Sequence, residues 1–110
     1  MTSVKFLADK NGIRGFEISG HCSTDSDDET GKIVCAAVSS AAYMAVNTIT
    51  EIIGAEGNAD ISDAFMHFTL KGISKGAVAV LEGLRFHIEK LSGQYGNNIK
   101  IIGGAKDVKD

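Results

Sequence analysis

The sequence predicts an α+β domain: a two-layer sandwich in ββαββαβ order, with a mixed sheet carrying two helices on one face. Three observations predict it. Short stretches of alternating apolar and polar residues occur near the N-terminus and again in the middle of the chain. Each is followed by a longer stretch in which apolar residues recur three and four apart. No proline interrupts either kind of segment in the 110 residues, where average usage would give about five.

The elements follow in order. Val4, Phe6 and Ala8 alternate with Lys5 and Leu7, as in a half-buried strand. Asp9-Lys10-Asn11-Gly12 is a hairpin signal, since Asn and Gly both accept positive φ. A second strand is expected over Ile13–Ser19 with Arg14, Phe16 and Ile18 on one face, and Gly15 inside it points to a bulge. The polar, acidic stretch from Gly20 to Gly31 reads as a loop. From Lys32 a helix is expected. Ile33, Val34, Ala37, Val38, Ala41, Ala42, Ala45, Ile49, Ile52 and Ile53 cover most of its circumference, and Gly54 caps it. Asn58–Ser62 and Ala64–Leu70 form a second strand pair. Ser74 is the expected N-cap of a second helix carrying Ala77, Val80, Leu81, Leu84, Ile88 and Leu91, ending at Gly93 or Gly96. Asn98–Ile102 is a last strand before a charged tail.

Length and composition narrow the function classes. A chain of 110 residues is one domain, 1–110, large enough for a core without a disulfide or metal framework. With 11 basic and 14 acidic side chains the net charge is −3, which argues against direct nucleic-acid binding. The apolar stretch Ile33–Ile53 is broken by Ser39, Ser40, Asn47, Thr48, Thr50 and Glu51, so no membrane partner is expected. Met1–Phe6 lacks the basic and apolar parts of a signal peptide, which leads to a cytoplasmic expectation.

The chemistry centres on Cys35, His21 and the segment between them. Cys35 is expected in the first turn of the first helix, where the helix dipole favours a thiolate. His21 lies at the end of the second strand and would take the thiol proton if the loop folds back. Ser39 is one helical turn beyond Cys35 on the same face, as a supporting hydrogen-bonding group or a back-bond to a helix carbonyl. A buried structural cysteine is the other reading of this spacing.

The string Gly20-His21, an acidic loop containing a glycine, and Ile33-Val34-Cys35-Ala36-Ala37-Val38-Ser39 resembles the bacterial ribosomal-processing cysteine protease family (Prp). The expected layout of elements resembles that family over nearly the whole chain. The resemblance implies a Cys–His endopeptidase that removes a short N-terminal extension from large-subunit ribosomal protein twenty-seven during ribosome assembly. It implies Cys35 as nucleophile, His21 as general base and later acid, and a homodimer; no cofactor or metal is expected. Two positions depart from the family pattern. Lys32 stands where an acidic residue commonly precedes the Ile-Val-Cys string, and Cys22 follows His21 where a small inert residue is common.

Asp25, Asp27, Asp28 and Glu29 concentrate four of the 14 acids within five residues. They read as a solvated loop at a helix start or as a surface attracting a basic peptide. His67 and His87 lie off the apolar faces of their elements and are expected to be exposed. Two other functions compete with the peptidase. One is a metal- or redox-responsive module using His21, Cys22, Asp25 and Cys35, although the spacing matches no zinc signature. In that reading a Cys22–Cys35 disulfide would act as a switch that blocks the nucleophile. The other is a non-catalytic ribosome-assembly interaction protein.

Overall fold

The computed structural model of the chain describes residues 1–20, 29–62 and 65–103. Strands β1 (Thr2–Asp9) and β2 (Gly12–Gly20) form an antiparallel hairpin. Only Gly12 takes positive φ there (109°), so the connection is closed by the glycine alone, and Asn11 N–H instead donates to Asp9 Oδ1 at 2.8 Å. Helix α1 (Glu29–Asn47) runs on through a π-helical segment, Thr48–Ile53. Strands β3 (Gly57–Ser62) and β4 (Phe65–Leu70) form the second hairpin, followed by α2 (Lys75–Gln94) and β5 (Ile99–Gly103). The sheet order is β3-β4-β2-β1-β5, with β1 and β5 parallel and every other pair antiparallel. The expected ββαββαβ order and mixed sheet are what is observed.

One face of the sheet makes the core. Val4 and Phe6 of β1, Phe16 and Ile18 of β2, Met66, Phe68 and Leu70 of β4 and Ile99 of β5 are all buried. Phe16 and Phe68 are direct cross-strand partners with ring centroids 6.1 Å apart. Over this face lie Val34, Val38, Ala42, Ala45 and Ile49 from α1 and its extension, and Ala77, Leu81, Leu84 and Ile88 from α2. By length and composition Glu29–Ile53 is apolar enough to cross a membrane. Its inner stripe packs on the sheet, as a core helix does.

The bulge suggested by Gly15 exists, and it changes which side chain enters the core. The β1–β2 register shifts between Leu7, opposite Gly15, and Ala8, opposite Ile13, leaving Arg14 as the extra residue. Ile13 therefore joins Phe16 and Ile18 in the core, in place of the expected Arg14. The displaced Arg14 guanidinium donates to the carbonyls of Leu70 and Gly72 and pairs with Asp9 at 3.6 Å. A Cβ on Gly15 would meet the Phe68 carbonyl oxygen at 2.0 Å, so β2 and β4 approach this closely only with glycine there.

Both helices have identifiable ends. Ser74 caps α2 as expected, its Oγ accepting from Ala77 N–H at 3.1 Å. The far end stops at Gln94, where Tyr95 N–H donates to the Leu91 carbonyl. In the long first helix, Thr48 Oγ1 donates to the Met44 carbonyl and Thr50 Oγ1 to the Val46 carbonyl, contacts that perturb helix geometry where the π-helical segment lies. Gly54, in the left-handed conformation (φ 81°), ends it.

Candidate active site

Strand β2 ends at Gly20, opposite Thr2 of β1, and α1 crosses above this end of the sheet. Cys35, Ser39 and Tyr43 of α1 recur at four-residue spacing and so share one helix face. Together with Gly20 at the end of β2, and Ile61 and Phe65 at the adjacent ends of β3 and β4, they line a cavity of about 110 Å³. Among the described residues no charged side chain lines it. Cys35 is 6% exposed, and among the described residues this cavity is the space its side chain lines.

Cys35 is the seventh residue of α1, nearly two turns from its start, and not in the first turn as the sequence suggested. The reason is that Glu29-Thr30-Gly31 is helical but polar, so apolar periodicity begins only at Ile33 and the helix seems to start later than it does. A helix end acts mainly within its first turn, so the dipole at the start of α1 favours the exposed Glu29 carboxylate more than the Cys35 sulfur. Burial and the cavity, rather than the helix end, define the environment of Cys35.

Ser39 lies one turn beyond Cys35 in the same cavity, as expected. Lys32 is exposed and absent from the lining. His21, Cys22, Asp25, Asp27 and Asp28 lie outside the described residues, and of the acidic cluster only Glu29 is within them. His67 is half-buried rather than exposed, because Thr69 Oγ1 lies 2.7 Å from its Nε2 and Glu17 Oε2 lies 3.8 Å from its Nδ1. His87 is exposed and lines a different space, an apolar groove of about 660 Å³ between α1 and α2 that contains neither Cys35 nor Ser39. Among the described residues, no group of three or more His, Cys, Asp or Glu side chains is arranged to hold a metal ion.

Sequence reasoning missed Tyr43, Ile61 and Phe65. Tyr43 had a signal: it continues the Cys35–Ser39 stripe by one more turn. Ile61 and Phe65 had none, because only the pairing of β3 with β4, and of β4 with β2, brings them to the cavity.

The family model described as cysteine protease Prp matches residues 1–100. The comparison with curated proteins gave no significant match. Among solved structures, the essential ribosomal processing protease Prp of S. aureus in complex with a substrate peptide is similar, with a TM-score of 0.85 and 18% identity over 94% of this chain and 99% of that one. The same protease with a covalently linked product peptide gives 0.82 and 19% identity over the same shares, 94% and 99%. A protein from Streptococcus mutans gives 0.79 and 22% identity, covering 94% of this chain and 98% of its own. At these identities the solved structures establish the shared fold.

Proposed function

Starting from the fact that the chain belongs to the cysteine protease Prp family, we propose that it is a Cys35–His21 endopeptidase that removes the N-terminal extension of bacterial large-subunit ribosomal protein twenty-seven. One observation carries the pairing: Gly20, the residue bonded to His21, lines the same cavity as Cys35. His21 accepts the thiol proton, and the Cys35 sulfur attacks the scissile carbonyl carbon. Collapse of the tetrahedral adduct expels the new N-terminal amine, which takes its proton from His21. Water then hydrolyses the acyl-enzyme and restores the thiol. The S. aureus protease was solved with a substrate peptide and with a covalently linked product peptide, which supports a peptide substrate and this covalent route. Ser39, in the same cavity, is the candidate supporting hydroxyl.

Attack begins from the thiol, so the proposed reaction needs Cys35 in its reduced form. A cytoplasmic location provides that condition. We read the assembly as a homodimer, supported by exposed apolar side chains on the outer side of α1 and its extension, among them Ile33, Met44 and Ile52.

The test is mass spectrometry of the extended ribosomal protein after incubation with the reduced chain and with its Cys35→Ala and His21→Ala variants. The reduced wild type is expected to release the extension. Both variants are expected to release none while keeping the wild-type circular dichroism spectrum. Full cleavage by Cys35→Ala would overturn the assignment.

A further inference from the structure

Strand β3 is an edge of the sheet, and among the described residues no strand pairs with its outer side. Its six residues, Gly57-Asn58-Ala59-Asp60-Ile61-Ser62, contain no proline or lysine, and all but the half-buried Gly57 are exposed. The register shows which peptide groups of β3 face away from β4. Lys71 N–H donates to the Glu56 carbonyl at 2.9 Å, so the pair beside the first residue of β3 is a hydrogen-bonded one. Pairs alternate along an antiparallel ladder, so Asn58–Thr69, Asp60–His67 and Ser62–Phe65 are also hydrogen-bonded pairs. Gly57, Ala59 and Ile61 then direct their N–H and C=O groups away from β4, along the open edge.

The edge leads directly to the site. Ile61 faces Met66 across the ladder, and Met66 is buried on the helix side of the sheet. The Ile61 side chain therefore stands on that same side, and it lines the cavity that holds Cys35. One residue thus joins a stretch of backbone with no second partner strand among the described residues to the candidate catalytic pocket. Around the cavity, three apolar side chains remain substantially exposed: Ile61 (46%), Tyr43 (44%) and Phe65 (37%). A peptidase substrate must be held extended for its scissile bond to reach a nucleophile. An edge strand continuous with the pocket supplies both backbone hydrogen bonds and places for alternate side chains.

We propose that the extended substrate peptide adds to the open edge of β3 as a sixth strand, bonding to the outward peptide groups of Ala59 and Ile61, and then turns into the Cys35 cavity. This rests on the peptidase reading above and adds to it the mode by which the substrate is held. Recognition by backbone pairing is tolerant of side chains along the edge, leaving selectivity to the residues that enter the cavity.

The experiment measures binding to the reduced Cys35→Ala chain, so that it does not depend on turnover. The probe is a synthetic peptide spanning the extension and the first residues beyond the cut in large-subunit ribosomal protein twenty-seven. Binding is followed by calorimetry while single backbone N–H groups of the peptide are N-methylated in turn. Strand addition predicts that methylation at alternate residues on one side of the cut weakens binding about tenfold, while the residues between change it little. Ala59→Pro removes an outward N–H without touching the ladder to β4, and is expected to weaken binding of the unmethylated peptide by a similar factor. No alternation along the peptide would overturn the proposal even if Ala59→Pro failed to fold, and so would a peptide that does not bind. If Ala59→Pro dissociates a wild-type dimer in sedimentation and leaves peptide affinity unchanged, the edge joins two copies of the chain and the proposal is wrong. Absence of cleavage by the wild-type chain, with alternation intact, would count against the peptidase reading alone.

Discussion

Gly20 holds the position on which the proposed pair depends. Its φ of 154° lies where residues with a Cβ are strained, and an added Cβ would come within 2.6 Å of the Met1 carbonyl oxygen. The contact is with backbone, so it cannot be relieved by a rotamer change. Gly20→Ala is therefore expected to destabilise the fold by ~1–3 kcal/mol, measured by urea denaturation. It is also expected to lower kcat/KM by more than that loss of folded protein accounts for, because His21 is attached directly to the displaced residue. Normal activity at an unchanged urea midpoint would mean that the strand end tolerates the shift. At this scale the sequence was partly legible. The Cys35 and Ser39 pair stood out from their spacing, and Tyr43 continues it. The depth of Cys35 in the helix did not stand out, since a polar first turn carries no apolar period.

Elements were more legible than single residues, for physical reasons that differ along the chain. The second helix shows a start signal and a stripe that agree, and the structure has Ser74 accepting from Ala77 N–H as its cap. Ser74→Ala is expected to cost about 1 kcal/mol in thermal or urea unfolding and to leave peptide cleavage unchanged, since the cap is not part of the Cys35 cavity. A change in kcat would instead mean that α2 is coupled to the site. The β1–β2 hairpin was legible as a pair of strands but not in its faces. An extra residue at Arg14 reverses the alternation, and Gly15 signals that a bulge exists without saying which neighbour is displaced. Ile49, Ile52 and Ile53 made the end of the first helix legible as helix, but not its π-helical geometry, because its two threonines act through backbone carbonyls.

At the scale of the whole molecule, the sheet order was the least legible feature. Local periodicity reports two hairpins, but the pairing of β2 with β4 and the parallel pairing of β1 with β5 join segments far apart in sequence. Those two pairings assemble the core and bring the adjacent ends of β3 and β4 to the cavity. Charge, by contrast, is a whole-molecule property that the sequence states outright. The net charge is −3, and Asp25, Asp27, Asp28 and Glu29 lie between the proposed base and its nucleophile. Glu29 is exposed at the start of α1, where a carboxylate is favoured by the helix end, so at least this member has a local reason to be acidic. If the four together attract a basic peptide, their effect is long-range and must weaken as salt shortens the Debye length from about 30 Å at 0.01 M to about 8 Å at 0.15 M. Replacing all four with the matching amides is expected to lower kcat/KM several-fold at low salt and little at high salt, with kcat nearly constant, as for a change in association rate. Equal loss at both salt concentrations would instead give these carboxylates a role in direct contact with the substrate.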